Sequence, residues 1–251
     1  MYVAIALMIA VTIAVAGFVL APRLAKGRYV YDEQPDRPLP FGLGMAWLAI
    51  RTRDTGRLVT ALGLQDIHAS NWDTGIGSAY GGHGSASRIF ISPPVNGWSF
   101  VVGLELPLPL GSGFADKTTT LLVDLGREFS DVQYFASYPA LDRFAWARVL
   151  DGKLVRAFAI GDEGIVWNKG KSGREEKTLG LRLFELRGVR GRRGDAGGEI
   201  VLYPTEQHIM KLAAKWSLDP TRLDAVKAEP ALGWVGSPPR SWRAQPLRKA
   251  A

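Results

Sequence analysis

The chain contains no cysteine, which excludes disulfides, thiolate metal sites and cysteine nucleophiles without fixing the compartment. Histidine is scarce too: His68, His83 and His208 are all there is. They show no HExxH spacing, no close His-x-His pair and no attached carboxylate motif, so neither a metal nor another cofactor is expected. The glycine-rich runs Gly75-Ile-Gly77 and Gly81-Gly82-His83-Gly84 match no phosphate loop or dinucleotide fingerprint, and no GxSxG elbow occurs. Nothing in these absences leaves a catalytic constellation to build on.

The longest uncharged stretch stands at the start. Met1 to Ala21 carries no charged side chain, and only Tyr2, Thr12 and Gly17 interrupt its aliphatic run. At 1.5 Å of rise per residue, roughly 20 apolar residues cross the hydrocarbon core, so residues 1–22 read as a transmembrane anchor. A cleaved secretory signal is the alternative, but the basic n-region is missing and the apolar run exceeds the usual h-region. Arg23, Lys26 and Arg28 come immediately after it. The positive-inside rule then predicts a single-pass protein of the inner membrane with its domain facing the cytoplasm.

The residues beyond the anchor are sufficient for one substantial domain. The net charge of +7 raises nucleic acid or anionic lipid as a partner. Much of that excess, however, sits in Arg23–Arg28, Arg187–Arg193 and Arg240–Lys249. Residues 23–44 read as a basic, then proline-rich linker. A single α+β domain is expected over 45–229, and a disordered basic tail over 230–251.

Asp151-Gly152, between two apolar runs, is the clearest local signal, because a two-residue type I′ turn needs positive φ at both positions. A bulge-free register pairs Leu150 with Lys153, Arg148 with Val155, Ala147 with Arg156 and Trp146 with Ala157. Arg148 and Arg156 then lie on opposite faces and cannot clamp one anion unless a bulge shifts the register. Around this ribbon, Met45–Ile50 reads as a strand and Asp54 as the cap of a short helix closed by Gly63. Arg88–Ser92 and Trp98–Leu104 form a hairpin across Asn96-Gly97. Helices are expected over Thr118–Phe129 and, with Thr205 as N-cap, through Ile209, Leu212, Ala213 and Trp216. A third strand covers Ile165–Trp167, a short helix Ser172–Leu179, a short strand Arg182–Leu186, and a loop Gly188–Gly198. Asn71–Gly84 reads as an ordered glycine-rich loop or a strand with close backbone approach. The expected architecture is a twisted antiparallel sheet with helices mainly on one face.

The segments ISPPVNGW (Ile91–Trp98), VQYF (Val132–Phe135), FAWARVLDGKLVRAFA (Phe144–Ala159) and KWSLDPTRLD (Lys215–Asp224) resemble an uncharacterised family of bacterial proteins. The resemblance covers roughly the domain after the anchor. It implies a bacterial source and brings no catalytic residue with it.

The candidate binding residues are Trp72, Tyr80, His83, Trp98, Arg148 and Arg156. Core packing is the simpler role for the tryptophans, whereas a mid-strand guanidinium must reach solvent, a carboxylate or a ligand. The leading functional expectation is a membrane-tethered interaction protein, of the immunity or toxin-neutralising kind. One alternative is an enzyme with its site near residues 71–84. Another is contact with anionic lipid or nucleic acid through Arg187–Arg193.

Overall fold

A computed structural model describes residues 31–81, 88–111, 113–162, 164–181 and 204–246. The anchor expected over 1–22, the residues 23–30 of the expected linker, His83, the strand expected over Arg182–Leu186 and the basic Arg187–Arg193 lie outside them. Among the described residues no helix is long and apolar enough to cross a membrane.

The described chain is α+β, built on one antiparallel sheet of nine strands. They are β1 (Ala46–Ile50), β2 (Gln65–Ser70), β3 (Ile89–Ile91), β4 (Ser99–Val102), β5 (Asp131–Tyr138), β6 (Arg143–Leu150), β7 (Lys153–Gly161), β8 (Gly164–Gly170) and β9 (Gly233–Ser237). Their order across the sheet is β2-β9-β3-β4-β1-β5-β6-β7-β8. Five α-helices accompany them: α1 (Thr55–Leu62), α2 (Trp72–Gly81), α3 (Lys117–Gly126), α4 (Arg174–Thr178) and α5 (Glu206–Trp216).

Local signals account for much of this. Asp151 and Gly152 both have positive φ, at 45° and 76°, which gives the β6–β7 ribbon the I′ turn its right-handed twist requires. Asn96 and Gly97 do the same between β3 and β4, where Val95 and Trp98 exchange backbone hydrogen bonds of 2.8 and 3.0 Å. The Asp54 carboxylate caps α1 by accepting from the Arg57 amide at 2.9 Å. At the other end of α1, Gly63 takes the left-handed conformation.

Five expectations are corrected. The β6–β7 ribbon carries a bulge: beyond Val149 and Leu154 the pairing shifts, so that Arg148 faces Arg156, Ala147 faces Ala157 and Trp146 faces Phe158. The extra residue, Val155, leaves Arg148 and Arg156 side by side on one face rather than on opposite ones.

Asn71–Gly84 is not a loop or strand where it is described, since Trp72–Gly81 is helical. Asn71 accepts from the Thr74 amide at 3.0 Å, and the Asp36 carboxylate accepts from the Trp72 and Asp73 amides at 2.7 and 3.0 Å. A carboxylate at exposed helix N–H groups offsets the poor propensity of Gly75 and Gly77. Gly75 itself lets the helix lie against the Phe90 ring, space that a Cβ would occupy.

The expected tail contributes β9, an interior strand between β2 and β3. Gly233 and Gly236 permit this, because a Cβ at Gly233 would meet the Ile91 carbonyl and Phe90, and one at Gly236 would press on Ile67 and the Gln65 carbonyl. The expected linker is likewise packed from Tyr31 onward, with Phe41 buried and Asp36 bridged to Ala231.

Helices cover both faces rather than one. On the first face α2 and α5 pack on an aromatic layer that includes Trp47, Phe90, Phe100, Phe135, Trp146 and Phe158. On the second, α1 and α3 pack on Leu48, Ile50, Val101, Val132 and the small Ala145, Ala147, Ala157 and Ala159. Alternation along each strand sends successive residues to the two layers.

Candidate functional site

The bulge in the ribbon builds the most polar interior feature. Two like charges directly opposite each other on one face repel, and each arginine is neutralised from its own side. Arg148 makes a bidentate pair with Asp131 of β5, at 3.1 and 2.6 Å, and its guanidinium lies 5.5 Å from the Trp216 ring. Arg156 turns the other way. Its Nε donates to Glu176 at 2.7 Å and its Nη1 to Asn168 at 2.8 Å, with side chains only 4% and 1% exposed for the arginine and the glutamate.

Glu176 also accepts from the Trp146 indole at 2.7 Å and from the Gly173 amide at 2.7 Å. The short helix α4 is thereby fastened to the ribbon. Both guanidiniums are committed to carboxylates, so what this arrangement does chemically is hold elements together.

The other described candidate residues belong to the aromatic core layer or pack against it. Trp72 is buried against Phe90 at a ring distance of 5.6 Å, and Trp98 is buried beside its turn with the Arg51 guanidinium 5.8 Å away. The Tyr80 hydroxyl donates to the Leu43 carbonyl at 2.9 Å and accepts from the Gly42 amide at 3.3 Å. Burial raises the pKa of Tyr80, against the lowering effect of the Gly42 amide, so its phenol is held protonated. His208 closes the α5 cap by accepting from the Thr205 amide at 3.0 Å. Its pKa is lowered, first by burial and then by Lys211. The structure sets Arg148 opposite Arg156, while Trp72 and Trp98 are buried in the aromatic core layer and Tyr80 packs against it. Among the described residues no three His, Asp or Glu side chains gather as metal ligands.

A line of clefts that no candidate residue marked lies on the second face. The long connection from β4 to α3 runs Leu104-Glu-Leu-Pro-Leu-Pro-Leu110, and the chain after β9 packs beside it. Ala115 donates to the Gln245 carbonyl at 3.0 Å, and Phe114 bridges Pro246. Three clefts lie along this seam. One of about 370 Å³ lies between Gly63 and Thr120, one of about 150 Å³ between Leu108 and Arg243, and one of about 300 Å³ between Phe114 and Asp162. The first two share Lys117 and Trp242, and the second and third share Leu110.

Walls of leucine and proline are edged by charges of both signs, Asp124, Lys117, Glu105, Arg243, Arg143 and Asp162. The visible signal for this site is leucine alternating with proline at 106–110, which excludes a helix or an interior strand; Leu106 goes to the core, and Leu108 and Leu110 are half-buried. Trp242 carries no signal while its surroundings read as a tail.

No family model matches the chain. Neither does any curated protein or solved structure.

Proposed function

We propose that the chain is a membrane-tethered interaction protein, and that the three linked clefts receive an extended apolar segment of a partner protein. The observation that carries this reading is the line of clefts around Leu110, Lys117 and Trp242. They lie in series and are joined through shared residues, whereas small-molecule sites are usually one enclosed cavity. Successive clefts in line suit successive side chains of an extended chain, with the mixed rim charges setting its register. The uncharged run Met1–Ala21 with Arg23, Lys26 and Arg28 behind it supports tethering in a bacterial inner membrane with the domain on the cytoplasmic side. An immunity-like role fits a stable surface of this kind.

A photo-crosslinking residue at Ser241, beside Trp242, tests the clefts in the full chain in its native membrane. The expected result is one discrete adduct that is absent with the crosslinker at Lys153 and lost when Leu110→Asp is added. Equal labelling at Lys153, or an adduct indifferent to Leu110→Asp, overturns the assignment. Protease added to intact spheroplasts checks the topology: the domain is expected to survive until lysis, and digestion beforehand reverses the orientation.

A further inference from the structure

The exposed large apolar side chains are unevenly placed. Among the described residues they are Leu43, Phe114, Leu141 and Val155, at 53%, 40%, 60% and 40% exposure. Because all neighbouring strands are antiparallel, the start of β1, the end of β4, the β5–β6 turn and the β7–β8 turn fall at one end of the sheet, and the β6–β7 turn falls at the other.

Leu43 precedes β1, where Gly44 and Ser137 both donate to the Glu206 carboxylate at 3.0 Å. Leu141 is the tip of the β5–β6 turn. Phe114 lines the cleft that holds Arg143, at the start of β6, and Asp162, in the β7–β8 turn. Three of the four thus share one end, and only Val155, at the bulge, belongs to the opposite one. Single exposed apolar residues need no explanation, but three on the turns of one end do.

Two features indicate what meets this end. The described chain finishes there, with Pro246 bridged to Phe114, and Leu247-Arg248-Lys249 come next in sequence. At the other terminus the sequence supplies an uncharged run long enough to cross a bilayer. We infer that the end carrying Leu43, Phe114 and Leu141 is seated on the lipid surface, its apolar tips entering the interface. Leucine and phenylalanine on turns gain free energy from such shallow burial. The inference rests on the tethered reading and extends it: the cleft lined by Phe114 then opens at the membrane, so the segment it receives is presented at the bilayer surface.

The absence of native cysteine makes a clean test. Leu43→Cys, Phe114→Cys, Leu141→Cys and Val155→Cys are each labelled with an environment-sensitive fluorophore in the full chain. The protein is reconstituted in phosphatidylethanolamine–phosphatidylglycerol vesicles doped with headgroup-region nitroxide lipid, and each variant's thermal transition is compared with that of the parent. Labels at positions 43, 114 and 141 are expected to shift to the blue and to be quenched several-fold more than the label at 155. Protein that floats with the vesicles but shows equal quenching at all four positions overturns the seating and leaves the tether standing. Protein that does not float overturns both.

Discussion

The two faces of the sheet solve the same burial problem with different materials. The aromatic face buries Trp47, Trp72, Trp146, Phe90, Phe100, Phe135 and Phe158, and it holds two arginine–carboxylate pairs, Arg156–Glu176 buried and Arg148–Asp131 with its arginine half-buried. The aliphatic face has the alanines of β6 and β7 under α3, and its polar groups include the phenols of Tyr134 and Tyr138. Large flat rings leave gaps and indole N–H groups that need acceptors, and Glu176 serves Trp146 in that way. Small side chains let a helix come close and demand nothing polar in return. The aromatic face should therefore be sensitive to lost charge partners, and the aliphatic face to added volume and to high pH.

The sharpest way to break this contrast is Glu176→Ala. It removes the carboxylate from the buried Arg156 guanidinium, which keeps only neutral acceptors such as Asn168, and takes the acceptor from the Trp146 indole at the same time, so about 3–5 kcal/mol of stability should be lost in chemical denaturation. A loss of less than about 1 kcal/mol would mean that the pair is no more than a surface bridge in its effect.

Glycine contacts compare the two faces directly. Gly75 of α2 lies against three ring atoms of Phe90, whereas Gly126 of α3 lies mainly against one methyl of Val149. A rigid ring cannot give way as a single methyl can. Gly75→Ala should destabilise by about 2–3 kcal/mol and Gly126→Ala by about 1 kcal/mol, part of each offset by the better helix propensity of alanine. Equal melting-temperature shifts for the two variants would remove the distinction.

The smallest effect at neutral pH concerns the phenols. Burial, opposed by the Ala46 amide, pushes Tyr138 from its ordinary 10.0 up to about 12, and burial raises Tyr134 well above its ordinary value. Between pH 10 and 12 the unfolded chain has released the Tyr138 proton while the folded chain retains it. Stability present below pH 10 is therefore lost as pH rises through that window, by up to about 2 kcal/mol from Tyr138. Tyr138→Phe should flatten that part of the alkaline unfolding profile, and an unchanged slope would place the titration elsewhere.

How much of this is legible from residues alone differs from element to element. The α5 pattern of Ile209, Leu212, Ala213 and Trp216 is readable because a helix writes its buried side into a short window. The β6–β7 ribbon is readable in its turn and misleading in its register, because a bulge at Val155 carries no local mark and moves every residue beyond it by one position. Arg148 and Arg156 stand out as mid-strand guanidiniums, yet a bulge-free count sets them on opposite faces. The cleft residues Lys117 and Trp242 carry no such mark, and Leu110 shows only as part of the leucine–proline run, since each acquires its role beside the other two.

By itself the sequence determined the features that depend on a few adjacent residues. Positive φ at Asp151-Gly152 and Asn96-Gly97, the Asp54 and Thr205 caps and the Gly63 stop arise from backbone sterics and hydrogen bonds within one turn. Only the tertiary structure decided that Gly233–Ser237 is an interior strand, that Trp72–Gly81 is a helix and that both faces are covered. In each of those cases the deciding partner is remote in the chain: Ile91 and Gln65 for β9, Asp36 and Phe90 for α2, and a second core layer for α3. Glycine is the physical reason the signal failed, because the same missing Cβ that reads locally as looseness is what allows another part of the chain to come close.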